Sequence, residues 1–239
     1  MVRLWSGERH RPGALARCEH GASGPGIEAQ AVRYPGRAER IDEPSPTDLH
    51  HLAFEIADAF DPSDERPIAL FGHSVGALVA LETARVLQAR GTRVAHLLAS
   101  GTRNAASYPP PAEAENDADD LLMDTLVGLG GTAPELAADP TFRDLVLPYV
   151  RSDALMLDTY DFSMEPQLHC PVSTIVGDED QHADRRPWHE LTAGVFFEHL
   201  VRGGHFLLSF RTSLRSDQEI PQRQDNQPEG LVSCRPIGM

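Results

Sequence analysis

Gly72-His73-Ser74-Val75-Gly76 is the stretch of this sequence best suited to chemistry. It fits the pattern G-x-S-x-G, in which a serine rides a sharp strand-to-helix turn so that its hydroxyl stands clear of a sheet. The glycines on both sides let the backbone fold that tightly without collision. A serine hydroxyl is a poor nucleophile until an imidazole takes its proton, and the imidazole needs an acceptor to fix its tautomer. In folds built around this turn the acid and then the histidine follow the serine along the chain. His205, in Gly203-Gly204-His205-Phe206, is the expected base. Asp180, in Gly177-Asp178-Glu179-Asp180, is the expected acid, with Asp178 as the alternative. The chemistry would be acyl transfer through Ser74, and it requires the serine hydroxyl within hydrogen-bonding reach of the His205 imidazole. His73 is expected to be structural, since strand alternation points it away from the serine.

These residues need a scaffold, and the surrounding pattern supplies one. Pro67-Ile68-Ala69-Leu70-Phe71 reads as a short buried strand before the serine. Ala77 to Arg90 reads as the helix after it, with Leu78, Leu81 and Val86 among its buried positions, and Gly91 stops it. Val94–Ser100, Val172–Val176 and Val195–Val201 read as further strands, so Asp180 and His205 both fall just beyond strand ends. Open α/β sheets place their sites there. Ile27 to Tyr34 predicts another strand, broken by Pro35-Gly36. Ser45-Pro46-Thr47-Asp48 has the form of a helix start, and Leu49, Leu52, Ala53, Ile56, Ala57 and Phe60 follow on one helical face. Asp61-Pro62 ends that helix.

Between Gly101 and His169 the rhythm changes. Three consecutive prolines lead into an acidic stretch and then helical segments near 118–129, 134–147 and 150–160, with no strand among them. A helical insertion of this kind is expected to cover a site. Residues 1–26 and 211–239 show no clear period and are expected to be poorly ordered, although Val2-Arg3-Leu4-Trp5 has the make-up of a strand. The whole is expected to be one domain over 1–239, of α/β class with a mostly parallel sheet flanked by helices.

Bulk properties narrow the partners. The net charge is −15, and a polyanion needs a basic face, so nucleic acid and anionic membranes are not expected. No apolar run reaches the roughly 18 residues of a membrane span, and no signal-like segment opens the sequence, so a cytoplasmic location is expected. All 21 basic residues are arginine. The absence of lysine excludes a Walker A site and any lysine Schiff base. Cys18, Cys170 and Cys234 are too widely spaced for a zinc motif or a disulfide framework. His50–His51 and His182…His189 lack partners at ligand spacing, so no metal is expected.

With these residues in hand, the sequence resembles the type II thioesterases, stand-alone editing enzymes of polyketide and nonribosomal peptide assembly lines with the α/β-hydrolase fold. Five stretches carry the resemblance, in the family's order over roughly residues 27–208: Tyr34-Pro35-Gly36-Arg37; Leu70 to Ala77 around Ser74; Ala99-Ser100-Gly101-Thr102-Arg103; Leu147 to Asp153; and Gly203-Gly204-His205-Phe206-Leu207. The resemblance implies hydrolysis of acyl groups stalled on the phosphopantetheine arm of an acyl or peptidyl carrier protein. Ser74 would be the nucleophile, His205 the base, Asp180 its orienting acid, and Val75 N–H one donor of the oxyanion hole. The helices of 102–168 would form a lid. No metal or organic cofactor is implied, and a monomer is expected. Carrier proteins are usually acidic, as this chain is, so docking would rest on a local apolar or arginine patch.

Two departures from the family pattern stand out. Its first strand normally runs into a His-Ala-Gly-Gly-like turn that supplies the other oxyanion donor, and nothing in residues 5–26 matches it. Loss of one such donor costs about 10²–10³ in rate in well-studied hydrolases. The stretch after Leu208 also lacks the usual final helix. Two other readings therefore stay open: a general carboxylesterase of the same fold, and a non-catalytic carrier-protein binder with an incomplete oxyanion hole.

Overall fold

The computed structural model describes residues 28–61, 63, 66–104 and 119–207, together with short strand segments at 2–5, 15–17 and 234–236. The first half of the chain gives β1 (Val2–Trp5), β2 (Leu15–Arg17), β3 (Glu28–Val32), α1 (Leu49–Asp58), β4 (Ile68–His73), α2 (Val75–Ala89) and β5 (Val94–Ser100). Then come α3 (Asp119–Gly128), α4 (Pro134–Ala137), α5 (Pro140–Asp158), β6 (Val172–Gly177), β7 (Phe196–Val201) and β8 (Cys234–Pro236). The strands form one sheet in the order β2-β3-β1-β4-β5-β6-β7-β8. Its central four, β4 to β7, are parallel. The strands on either side join antiparallel. Parallel neighbours cannot be joined by a tight hairpin, and α2 provides the crossover from β4 to β5.

The apolar pattern explains which faces are covered. Leu49, Leu52, Ala53, Ile56 and Ala57 of α1 are buried, as their spacing predicts. Leu49, Leu52, Ile56 and Ala57 share a core with Leu78, Leu81 and Leu87 of α2, with Ile68 and Leu70 of β4, and with Leu97, Val172 and Trp188. Val86 is only half-buried, and Leu87 takes the core position instead. α2 is buried on most of its circumference, so its polar residues must be paired internally. Arg85 donates to Glu82 Oε1 at 2.7 Å and to the Ser163 and Pro166 carbonyls at 2.8 and 3.0 Å.

Several boundaries differ from the sequence expectation, each for a local reason. The cap of α1 is Asp48, whose carboxylate accepts the His51 N–H at 2.8 Å, and not Ser45. A carboxylate at that position also meets the positive end of the helix dipole. The preceding Pro46 carbonyl is engaged elsewhere, by the Ser152 hydroxyl of α5. The helix ends at Asp58, before Asp61-Pro62. The expected segments 134–147 and 150–160 are instead the single turn α4 and one long helix α5 that runs through Pro148. That proline forfeits one backbone hydrogen bond, yet buried Val146 and Leu147 before it and Ser152 and Met156 after it hold the helix together. β1 and β2 lie within residues 1–26, and β8 within 211–239, stretches expected to lack order. β1 satisfies backbone groups that the edge of β4 would otherwise leave open. The rest of both stretches, and residues 105–118, lie outside the described residues.

The helical insertion is fastened to the body by two of the stretches that carry the family resemblance. Arg37 donates to Asp153 of α5, and its guanidinium lies over the rings of Tyr34 and Tyr149, 5.2 and 5.3 Å from their centroids. Burial pushes the Asp153 carboxyl above its ordinary range and Arg37 opposes that shift. Arg37→Met should cost about 1–2 kcal/mol in urea denaturation, the low end for a charged hydrogen bond because part of each side chain reaches solvent. Adding Asp153→Asn, which removes the stranded carboxylate, should recover part of the loss. Unchanged stability in the single variant would contradict the role given to this pair.

Candidate active site

Ser74 stands between β4 and α2 with φ 53° and ψ −125°, a left-handed backbone that few residues other than glycine adopt. Gly72 shows why the motif needs glycine there. A β-carbon on it would lie 2.0 Å from the Gly76 carbonyl oxygen and 2.7 Å from Cα of Ala77, so α2 can leave the strand this sharply only over a bare backbone. Ser74 N–H donates to the Ser100 carbonyl at the end of β5, at 2.9 Å. Val75 opens α2, so its N–H has no carbonyl one turn back to meet.

The other two residues come from the ends of β6 and β7. The segment after β6 and the loop after β7 are stitched together: Asp178 N–H donates to the Val201 carbonyl at 2.8 Å and Glu179 N–H to the Gly203 carbonyl at 3.0 Å. The Asp178 carboxylate accepts Gly203 N–H at 2.9 Å. Asp178 is thereby committed to shaping the loop. Asp180 reaches the ring instead, its Oδ2 2.9 Å from Nδ1 of His205, while its Oδ1 accepts His182 N–H at 2.9 Å. Both side chains are shut off from water. With Nδ1–H donated to a carboxylate, the neutral imidazole keeps its lone pair on Nε2. That nitrogen is buried and has no hydrogen-bond partner among the described residues.

The ends of the strands bring these groups to one place. A β-carbon on Gly101, the residue after β5, would lie 3.0 Å from Cε1 of His205 and 3.1 Å from Cε1 of His73. Both rings therefore sit over the end of β5, where Ser74 is also anchored. The structure thus joins Asp180 to His205 and anchors the Ser74 backbone on the end of β5, the strand over whose end the His205 ring sits. It does not make the expected hydrogen bond from Ser74 to His205, whose Nε2 is unpartnered. Hydrogen bonds of this kind are often long or misaligned without substrate and tighten when it docks.

His73 does not point away from the site, as strand alternation suggested. Its ring centroid is 4.9 Å from that of His205, and Nδ1 is 3.1 Å from the Ser100 hydroxyl. The strand's alternation ends at the elbow, so the last position of β4 turns toward the loop after β7. Burial, reinforced by the neighbouring His205, pushes the His73 imidazole down to about 4. Phe206, 5.3 Å from the His205 ring, and Gly131 of the insertion, which touches Phe206, also went without a role in the sequence reading. The Gly130-Gly131 doublet was the sole local signal for the latter.

Residues 21–215 match the thioesterase domain family. The chain belongs to that family. It is 37% identical over 190 residues to the thioesterase PikA5 of Streptomyces venezuelae, covering 77% of this chain and 67% of that one. A probable cadicidin biosynthesis thioesterase of Streptomyces griseus is 34% identical over 190 residues, and this chain spans about half of it, 52%. The solved structure of BorB, a type II thioesterase from the borrelidin biosynthetic cluster, superposes with TM-score 0.62 at 32% identity, over 75% of this chain and 74% of that one. The likeness to BorB sets the chain among the type II thioesterases, with the α/β-hydrolase fold expected of them.

The lowered pKa of the His73 imidazole gives the chain a specific acid sensitivity. Below pH 6.5 the unfolded chain protonates this residue while the folded one resists until about 4, so stability falls as pH falls across that window. His73→Asn should flatten the dependence of unfolding free energy on pH between 6.5 and 4.5. A slope identical to that of the native chain would contradict the assignment.

Proposed function

We propose that the chain hydrolyses acyl thioesters carried on the phosphopantetheine arm of carrier proteins, through a triad of Ser74, His205 and Asp180. The observation that carries this reading is the buried hydrogen bond between Asp180 and His205, in a sheet whose strand β4 ends in a serine held on a left-handed elbow. Ser74 Oγ attacks the thioester carbonyl carbon as its proton passes to His205 Nε2. The carbonyl oxygen becomes an oxyanion, and the Val75 N–H is the donor offered to it. The C–S bond then breaks, and the imidazolium returns the proton to the departing thiol. Water attacks the acyl-enzyme with His205 again as base, releasing the carboxylic acid and restoring Ser74. Asp180 keeps Nδ1–H in place and stabilises the imidazolium throughout. The family's turn that would add a second oxyanion donor has no match in residues 5–26, most of which lie outside the described residues.

The relatives support this substrate class by their own names, PikA5 as a thioesterase and BorB as a type II thioesterase of a biosynthetic cluster. The chain acts in this reading as a monomer in the cytoplasm, with the insertion over 102–168 as a lid and no cofactor in any step.

Intact-mass analysis of an acetyl-loaded carrier protein tests the proposal. Loss of the acetyl mass is expected with the native chain and not with Ser74→Ala. Asp180→Asn should lower kcat by on the order of 10⁴, the cost of the wrong tautomer, and Asp178→Asn by far less. Equal loss with native chain and Ser74→Ala would remove Ser74 from the mechanism. If a fluorophosphonate probe failed to label Ser74, the non-catalytic binder would be the better reading.

A further inference from the structure

Phe206 follows the base directly and has no part in the scheme above, yet its ring is held from two sides. On one side is Gly131, in the turn that joins α3 to α4. A β-carbon there would lie 2.3 Å from Cε2 of Phe206, 2.7 Å from Cζ and 2.9 Å from Cδ2. Only a glycine lets the turn come down onto the ring. On the other side are the two imidazoles. The phenyl stands edge-on to His205 at 86°, with centroids 5.3 Å apart, and its centroid is 5.7 Å from that of His73.

The turn is not a loose flap. Gly130 N–H donates to the Val127 carbonyl at 2.8 Å and Gly131 N–H to the Leu126 carbonyl at 3.3 Å, closing the end of α3. Leu126 and Val127, with Phe142, pack in turn on Met123, Ala137 and Leu147, the insertion's own small core. A continuous line of van der Waals contact therefore runs from the helices of the insertion, through one phenyl ring, to the imidazole that must meet Ser74.

We propose that Phe206 is a positioning residue through which the helical insertion sets the orientation of the His205 imidazole. With the 130–131 turn seated, the phenyl is pinned edge-on and the imidazole cannot tip away from Ser74. With the turn displaced, the phenyl gains room and that support is lost. Proton transfer is thereby tied to the position of the insertion. The inference rests on His205 being the base.

Gly131→Ala, Phe206→Leu and the double variant test it in the full chain against an acetyl-loaded carrier protein. The added methyl must displace the phenyl that packs on the imidazole, so Gly131→Ala should lower kcat by roughly tenfold to a hundredfold, the scale of an ångström-sized misplacement. It should also move the acidic limb of the kcat/KM profile, because the environment of His205 changes. Leucine withdraws the ring atoms that the methyl would strike, so the double variant should be no slower than Phe206→Leu alone, a marked departure from additivity. Gly130→Ala is the control: its β-carbon meets nothing within 4 Å, but its φ of 79° disfavours a side chain. It should lower Tm and leave the acidic limb unmoved. Multiplicative losses in the double variant, or native kinetics in Gly131→Ala, would overturn the proposal. Should Gly131→Ala fail to fold, Phe206→Leu decides, and an acidic limb identical to the native one overturns it. A Ser74→Ala chain that still deacylates would sink the underlying mechanism instead, so the two failures are distinguishable.

Discussion

Asp180 and His205 share a hydrogen bond from which water is excluded, with the carboxylate fully covered and the imidazole 4% exposed. A carboxylate is costly to bury unless its oxygens are satisfied, and here the ring takes one and the His182 N–H the other. Nearly every feature around the site serves to bring these two groups together at the end of a sheet. β6 and β7 must be parallel neighbours for the residues beyond them to meet. Asp178 must hold Gly203, and the Glu179 N–H must hold the Gly203 carbonyl, for the loop to present His205 at that distance. The same bond leaves the lone pair of the neutral imidazole on Nε2.

Two imidazoles beside each other would repel if both were charged. Burial, reinforced by the neighbouring His205, pushes the His73 imidazole down to about 4, so this ring is uncharged near neutral pH. His73 thus packs against His205 as a neutral ring. The Ser100 hydroxyl occupies its Nδ1 and completes the arrangement.

Much of the scaffold was legible because it depends on local pattern. β5 is bounded as its apolar run predicts, and α1 buries the face its spacing marks. The elbow at Ser74 was legible because the turn constrains its neighbours to glycine, which leaves a signature in the letters. Asp180 was the expected partner of His205 with Asp178 as the alternative, and it is the paired loop after β7, invisible to the sequence, that occupies Asp178 and leaves Asp180 at the ring. The course of α5 through Pro148 was hidden because burial on both sides outweighs the proline's local cost. The contact between Gly131 and Phe206 joins residues 75 positions apart, and no periodicity reports such a pair. Family resemblance pointed to the stretches containing Arg37 and Asp153, but their pairing across the insertion is a fact of three dimensions.

The tautomer of His205 is the property on which this account turns, and ring-nitrogen NMR of the ¹⁵N-labelled native chain reads it directly. In the neutral form of the ring the proton is expected on Nδ1, shifted downfield by its carboxylate partner, with both signatures lost in Asp180→Asn. An imidazole protonated on Nε2, or one indifferent to the loss of the Asp180 charge, would contradict it.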